Sequence, residues 1–538
     1  RDITFTVEDE AEARSYAEAD PQFTVVEQTA FGEWQVTRKS GAQVRVPRRA
    51  TLNRRIGGLF PTDFDPARWG IPASMLDSID PIAVWNLVSA VDAFVSAGFS
   101  PAELLRVVHP ATVASTQGTG FGGMRSMHKL FVDRFLGEDY PQDILQETLP
   151  NVVAAHTMQS YVGGYGSMIN PVGACATAAV SIEEGVDKIK AGKADFVVAG
   201  AIDDIQVESI VGFGAMNATA NSNELLARGI SSRFVSRAND RRRGGFVEAQ
   251  GGGTVLLTRG SVALEMGLPV LAVVAHAQTF SDGAHTSIPA PGLGALAVAR
   301  GGRDSVIARN LAELGVGIDD VAFVSKHDTS TNANDPNESD LHTRVGMALG
   351  RTPGNPLLVI SQKTLTGHAK GGACVFQVGG IIDVFRTGLI PANVALDCVD
   401  DAMEQYGPLV WLRSPLNLSS RGPVRAAFAT SLGFGHVSGF LALVNPAAFE
   451  AIVEREVGRE ALDAWRAASD RRLRNGQRHI EMGMLGHAPL FTSVEGRRLP
   501  DDPTAGAAGD AHEVEAAILL DPSARLGADG FYHLPEGK

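Results

Sequence analysis

The chain has few cysteines: Cys175, Cys374 and Cys398 are the only three among 538 residues. Three cannot build a disulfide framework, which points to a reducing, cytoplasmic setting. There is no HExxH, no paired CxxC and no P-loop, so the sequence offers no zincin site, zinc ribbon or nucleotide-cradling loop. No long apolar run is uninterrupted. The best stretch, about 371–391, is broken by Gln377, Asp383 and Arg386 and reads as a buried helix, not a membrane span. The start lacks a basic segment followed by an apolar one, so no signal peptide is visible. Residue 1 is Arg rather than Met, as in a piece of a longer chain or a processed product. Positive charge is in deficit: 47 Lys plus Arg against 61 Asp plus Glu leave a net charge of −14. That balance disfavours nucleic acid or an anionic membrane as partner of the whole surface.

What is present is a large core. Hydrophobic residues make up 44% and charged residues 20%, ordinary values for a globular protein. The 59 glycines follow no collagen-like period and point to tight turns and close backbone contacts. Residues 1–80 are mixed, with strand-like alternation in FGEWQVTRKSGAQVRV. From about 82 the chain alternates helix and strand signals. IAVWNLVSAVDAFVSAGF reads as a helix ending near Gly98, and ADFVVAG (194–200) and GGTVLLT (252–258) as buried strands. A second round follows: strands in LAVVAHAQ, VAFVSK (321–326) and PLLVISQK (356–363), helices over 334–349 and 369–387, and a hairpin around GFGHVSG. Alternating strands and helices predict an α/β architecture with covered sheets and two similar halves. The expected division is a flanking segment 1–80, a main fold 81–450 with halves at about 81–265 and 266–450, and a C-terminal region 451–538. That last region reads as one charged amphipathic helix, EREVGREALDAWRAASDRRLRNGQ, a linker at 499–512 and a partly flexible tail.

The most informative stretch is NPVGACATAAVSIEEGVDKIKAGKADFVVAG (170–200). Gly173 allows a sharp turn, and Cys175 stands just before a helix whose Glu184 and Lys188 form an i,i+4 pair on the outer face. A helix N-terminus lowers a thiol pKa and presents unpaired N–H groups to a developing oxyanion. On this stretch alone a small buried structural cysteine is an equally good account. Two histidines at equivalent strand-to-helix junctions tip the balance: His327 in KHDTSTNANDPNE and His368 in SQKTLTGHAKGGA. Sites in open α/β sheets gather at the carboxyl ends of strands.

GACATAAVS around Cys175, KHDTSTNANDPNE around His327, KTLTGHAKGG around His368 and SLGFGHVSG around Phe434 resemble the β-ketoacyl synthases of the thiolase superfamily. The wording is closest to the ketosynthase domain of actinobacterial type I fatty acid synthase, over about residues 30–450. The resemblance implies a thiolase-like five-layered αβαβα fold from two similar halves, a homodimer, and a place in a larger synthase oligomer. It implies that Cys175 is the acyl-accepting nucleophile, and that His327 and His368 drive malonyl decarboxylation and stabilise the enolate. Lys363 matches the lysine that organises the site. Thr329 and Thr331 match the threonines that contact the 4'-phosphopantetheine arm of an acyl carrier domain, and the N–H of Phe434 joins that of Cys175 in an oxyanion hole. Substrates would be malonyl and acyl thioesters on that carrier, with no metal and no cofactor bound by this domain. Many stand-alone members have Glu nine residues after this histidine where this chain has Gln377. Glu338 is the acid expected to close the charge network around Lys363.

Other signals carry less. GTGFGG (118–123) fits a dinucleotide-binding pattern formally, but the acid that such a fold wants falls in a loop, so a tight turn is expected. The basic runs RVPRRATLNRR (45–55) and RANDRRRGGF (237–246) read as solvated faces, as a docking patch for an acidic carrier, or as partly buried arginines. Cys374 reads as packing. A degradative thiolase would need a second cysteine near the last glycine-rich turn, and SLGFGHVSG has none. A polyketide or mycolate-type ketosynthase and a non-catalytic scaffold remain alternatives.

Overall fold

The computed structural model describes residues 1–7, 9–42, 53–133, 141–283, 292–494 and 515–533. The backbone divides into two compact units, Arg1–Leu52 and Asn53–Lys538, so the large unit begins ahead of the boundary near residue 80 that composition suggests. The small unit holds strands β1 (Ile3–Val7), β2 (Thr24–Gln28) and β3 (Trp34–Arg38), in antiparallel order β1-β3-β2, and the helix Glu10–Ala19.

The large unit contains two main sheets. The first has β4 (Val113–Ser115), β5 (Phe196–Asp203) and β6 (Gly251–Thr258) in that order. The strands that follow are β7 (Val273–Ser281), β8 (Val321–Ser325), β9 (Leu357–Ile360), β10 (Leu389–Ile390), β11 (Leu409–Trp411), β12 (Leu416–Asn417), β13 (Ala426–Gly433) and β14 (Val437–Val444), with a short pair, β15 (Arg525–Leu526) and β16 (Tyr532–His533), near the end. The second sheet runs β11-β9-β8-β13-β14-β7, and β10 with β12 forms a separate ladder. In both sheets a parallel pair (β4 with β5, β8 with β13) is followed by an antiparallel one (β5 with β6, β13 with β14), which is the duplication expected.

Strand alternation explains the layers. Along β5, Val197, Ala199 and Ala201 pack inward, while Phe196 and Val198 face the outer helix Pro81–Ser96. Along β13 and β14, Ala427, Ala429, Leu441 and Leu443 face inward, and Phe428, Phe440 and Ala442 face out. Both faces of each sheet are covered, so these strands read as continuous apolar runs. Between the sheets lie the helices Thr177–Lys190 and Ala373–Thr387, contributing Ala178, Ile182, Val378 and Ile381 to the same core. Helices Val306–Glu313 and Asn334–Ala348 cover the far side. Helix, sheet, helices, sheet, helices is the five-layered αβαβα plan.

Three local expectations are corrected. Lys188 is buried, not on an outer face, and its ammonium stays 4.0 Å from Glu184. The C-terminal helix is two helices, Ala447–Glu456 and Arg459–Met484, separated at Gly458, whose φ of 107° no helix tolerates. The last forty residues are not all tail: Ile518, Ala524, Leu526 and Tyr532 join the core that contains Leu87, Phe94 and Trp465. The expected linker at 499–512 lies outside the described residues.

Candidate active site

Cys175 occupies a single 3-10 turn, Ala174–Ala176, immediately before the helix Thr177–Lys190. The elbow is strained: Ala174 has φ 46°, rare for a residue with a Cβ. Thr177 pins it, its Oγ1 accepting from Gly173 N–H at 2.9 Å and donating to Ala174 O at 2.8 Å. From the other half, Ser431 Oγ donates to Cys175 O at 2.8 Å. A Cβ at Gly433 would meet Gly173 O at 2.3 Å and Cys175 N at 3.3 Å, so glycine is what lets the β13–β14 turn lie against the elbow. That turn carries Phe434, whose N–H points at the Cys175 sulfur.

The thiol does not behave as its helix position predicts. Burial pushes it up to about 11. Lys363 and the Phe434 N–H offset part of the rise, and Asp203 adds to it. Half a unit charge from the helix dipole is outweighed by desolvation of a thiolate. The resting group is a neutral thiol.

His327 follows β8, and His368 follows the short helix Lys363–Thr366. The rings meet edge to face with centroids 5.2 Å apart. One nitrogen of each ring and the Cys175 sulfur lie within 4.8 Å of one another. Both rings are buried, and burial together with Lys363 holds each well below the usual histidine range. Their partners assign the tautomers. His368 Nδ1 accepts from Lys370 N–H at 3.2 Å. His327 Nδ1 faces Lys363 Nζ at 3.1 Å, and that amine also donates to His327 O. Both Nδ1 atoms act as acceptors, which puts the proton of each neutral ring on Nε2. By donor type alone, a sulfur and two imidazoles could hold a thiophilic metal. A metal-bound histidine, however, gives its second ring N–H to an acceptor, and here both second nitrogens receive hydrogen bonds.

Lys363 is buried, and burial lowers its pKa against the opposing pull of Glu338. Among the described residues no carboxylate comes within ion-pair distance of it, so the expected Lys363–Glu338 closure is corrected. Glu338 instead accepts from His327 N–H and Thr430 Oγ1, from Asp328 N–H at 2.9 Å, and from Asn334 Nδ2 at 3.3 Å. It clamps the backbone on both sides of His327. A buried ion pair beside His327 joins Lys326 to Asp328, at 2.7 Å. Gln377 explains its own presence: Nε2 donates to the carbonyls of Ser325 (2.7 Å), Lys326 (3.0 Å) and Thr430 (3.0 Å). A carboxylate could not do this.

Thr329 and Thr331 stand on the loop after His327 with their hydroxyls 3.0 Å apart, and Thr331 Oγ1 accepts from Asn334 N–H. Phe434 is half-buried and ends a row of rings. Its centroid is 5.9 Å from that of Phe213, which lies 6.1 Å from Phe121 and 5.3 Å from Phe246, and Phe246 lies 5.0 Å from His368. Cys374 is fully buried on the central helix.

The run at 237–246 is mostly an internal strap rather than a docking patch. Arg237 is buried against Asp240 (3.0 Å) and Asp397 (2.7 Å), and Arg243 against Asp400 (2.6 Å). Asn239 between them reaches Asp328 at 2.8 Å. Arg241 alone of the run's four arginines is exposed. Of the run at 45–55, residues 45–52 lie outside the described residues. Sequence reasoning missed Lys326, Asp328, Asn239 and Asp203. Two of them directly flank His327 in SKHDT, and Asp203 is the acid at the end of a buried strand.

The pattern of the beta-ketoacyl synthase N-terminal domain matches residues 25–263, and that of the C-terminal domain matches residues 271–397. The chain is 36% identical to the fatty acid synthase alpha subunit stcJ of Emericella nidulans, covering 91% of this chain and 30% of that protein. It is 34% identical to fatty acid synthase 2 of Mycosarcoma maydis (93% and 13%) and 30% identical to the fatty acid synthase subunit alpha of Saccharomyces cerevisiae (93% and 30%). The chain thus spans under a third of the length of these relatives. The fold matches the crystal structure of the noncanonical ketosynthase FabY from P. aeruginosa, with TM-score 0.75 and 22% identity over 91% of this chain and 75% of that one. With both halves of the pattern covering about two-thirds of its length, this chain belongs to the beta-ketoacyl synthase family.

Proposed function

We propose that this chain is the condensing domain of a type I fatty acid synthase, of the actinobacterial kind its motifs resemble. It would extend a Cys175-bound acyl group by decarboxylative Claisen condensation with malonyl on an acyl carrier. The observation that carries this reading is the pair of neutral imidazoles, both with Nε2–H, gathered with the Cys175 sulfur within 4.8 Å.

In the first half-reaction Cys175 sulfur attacks the acyl thioester. The acyl group moves to Sγ, and the carrier thiol leaves with the proton that Cys175 loses. The N–H groups of Cys175 and Phe434 hold the tetrahedral oxyanion. In the second, the malonyl C–C bond to the carboxylate breaks, carbon dioxide leaves, and the electron pair is held as an enolate. Its oxygen accepts from His327 and His368 Nε2–H. Each such donor contributes about 3–4 kcal/mol by the precedent of oxyanion-hole deletions. The enolate carbon attacks the acyl carbonyl, and Cys175 sulfur departs as thiolate and takes up one proton from solvent. Neutral rings suit this role, because they donate a hydrogen bond to the enolate oxygen without handing over a proton, as a charged imidazolium would. Lys363 keeps His327 oriented, and Thr329 and Thr331 offer hydroxyls to the phosphopantetheine arm that delivers both substrates. The domain is expected to work as a homodimer within a larger cytoplasmic synthase, with an acyl carrier domain as partner and no membrane or nucleic-acid role.

The test is acyl transfer and carbon dioxide release measured separately with carrier-bound donors. Cys175→Ala is expected to lose acyl labelling and condensation while retaining malonyl decarboxylation. His368→Ala is expected to lower carbon dioxide release by at least about 100-fold. Chain elongation by Cys175→Ala near the parent rate would refute the reading.

A further inference from the structure

Among the fully buried carboxylates that the chemistry above does not use is Asp203. Asp203 ends β5, has no solvent exposure, and gathers donors from two separate segments. From the loop 118–123 it receives Thr119 Oγ1 at 2.8 Å, Gly120 N–H at 3.0 Å and Phe121 N–H at 3.2 Å. From the turn after His368 it receives Gly371 N–H at 2.6 Å. Burial pushes the Asp203 pKa up, while Lys370 and these donors oppose the rise; accepting from two segments at once, the carboxyl is a fixed point between them.

What it fixes matters for the site. The residue before Gly371 is Lys370, held at φ 49°, and its N–H is the donor to His368 Nδ1. The bond that assigns the His368 tautomer therefore comes from one end of a peptide pair whose other end is tied to Asp203. Lys370 Nζ lies 3.4 Å from Glu248, so its side chain is anchored as well. On the other side Phe121 belongs to the ring row that ends at Phe434. The packing leaves no slack: a Cβ at Gly371 would stand 2.7 Å from Asp203 Oδ2 and 3.0 Å from Thr177 Cβ, and one at Gly120 would stand 2.8 Å from Asp203 Oδ2.

We propose that Asp203 is a positioning residue of this site: one buried carboxylate couples the turn that sets the His368 tautomer to the loop bearing Phe121. The proposal rests on the reading of His368 as an enolate-stabilising donor. Asp203 also acts on Cys175 through space, adding to the forces that keep its thiol protonated.

Asp203→Asn tests this. The amide can still accept from the 119–121 loop, but its NH2 then opposes Gly371 N–H, and the turn loses its anchor. In the intact protein, with malonyl-CoA and an acyl-CoA as probes, carbon dioxide release is expected to fall 10- to 100-fold. Acyl labelling of Cys175 should stay within threefold of the parent, and the KM for malonyl should be unchanged. The alkylation rate of Cys175 should reach its half-maximum at lower pH. Gly371→Ala keeps the carboxylate but pushes the turn away from it. It should show the same selective loss of decarboxylation, which keeps the idea testable if Asp203→Asn does not fold. Unchanged carbon dioxide release in either folded variant overturns the proposal, and so does an equal loss of labelling and decarboxylation. His368→Ala is run alongside. If it leaves carbon dioxide release intact, the reading of His368 fails; if it abolishes release while both positioning variants are unaffected, only the role of Asp203 fails.

Discussion

Gln377→Glu puts into this chain the acid that many stand-alone ketosynthases carry, and the structure says it should be harmful here. The Gln377 amide is fully buried, and its two N–H hydrogens serve three carbonyls, those of Ser325, Lys326 and Thr430. A carboxylate removes both hydrogens. Buried groups left without a partner cost about 1–3 kcal/mol each, so two lost donations amount to about 2–6 kcal/mol with the introduced group ionised. Protonated, it returns one O–H and about half of that. Burial among carbonyl oxygens raises its folded pKa above the ordinary glutamate value of about 4.3. Stability is therefore least impaired below about pH 4 and falls as pH rises through the raised folded value. Urea denaturation at pH 5 and pH 8, against a Gln377→Met control whose loss should not depend on pH, measures both size and sign. Because two of the carbonyls adjoin His327, carbon dioxide release should fall as well. A variant within about 0.5 kcal/mol of the parent at pH 8, or one that gains stability with rising pH, refutes the reasoning. It would mean that the new carboxylate turns to Lys363.

Three further outcomes follow from other parts of the structure. Alkylation of Cys175 by iodoacetamide should be slow at neutral pH and rise about tenfold per pH unit toward the thiol's value of about 11; a plateau below pH 8 would restore the helix-dipole expectation. His327 and His368 titrate well below the usual range, so malonyl decarboxylation should show no break near pH 6.5 from charging of either ring. A clear inflection there would mean that one imidazole is solvated. Arg237→Ala takes from the buried Asp240 its closest ion-pair partner and should cost about 3–5 kcal/mol, by analogy with broken buried ion pairs. Arg241→Ala, at the exposed position of the same run, should change stability by less than about 0.5 kcal/mol; comparable losses in both would contradict the burial pattern.

Much of the site was legible because chemistry-bearing residues sit at punctuated junctions. Cys175 follows a turn and precedes a helix, His327 ends an apolar strand, and His368 follows Gly367 between a strand and a helix. Local pattern is enough to find such positions. Phe434 lies in the glycine-rich turn between two apolar runs, but it was singled out only by the family resemblance. Less legible was what each residue is bonded to. Glu338 was expected to close the charge network around Lys363, but it accepts from the N–H groups of His327 and Asp328, Thr430 Oγ1 and Asn334 Nδ2, partners that no spacing rule reveals. The arginines of RANDRRR look like a surface patch in one dimension, because burial is invisible until Asp240, Asp397 and Asp400 arrive from distant segments. The tail from 515 was passed over because its apolar residues are too few to stand out, although Ile518, Leu526 and Tyr532 complete a core begun some 430 residues earlier.

The sequence by itself determined the α/β periodicity, the duplicated halves, and the cysteine and two histidines proposed to carry the chemistry, since these depend on residue type and on neighbours within a few positions. Only the tertiary structure decided the state of that chemistry: a protonated thiol, two imidazoles with Nε2–H, and a buried amide at Gln377 that serves three carbonyls. The physical reason is that protonation and tautomer follow from desolvation and from hydrogen-bond partners. Those partners (Lys363, Lys370, Asp203 and the carbonyls around Gln377) come together only when the two halves close on each other.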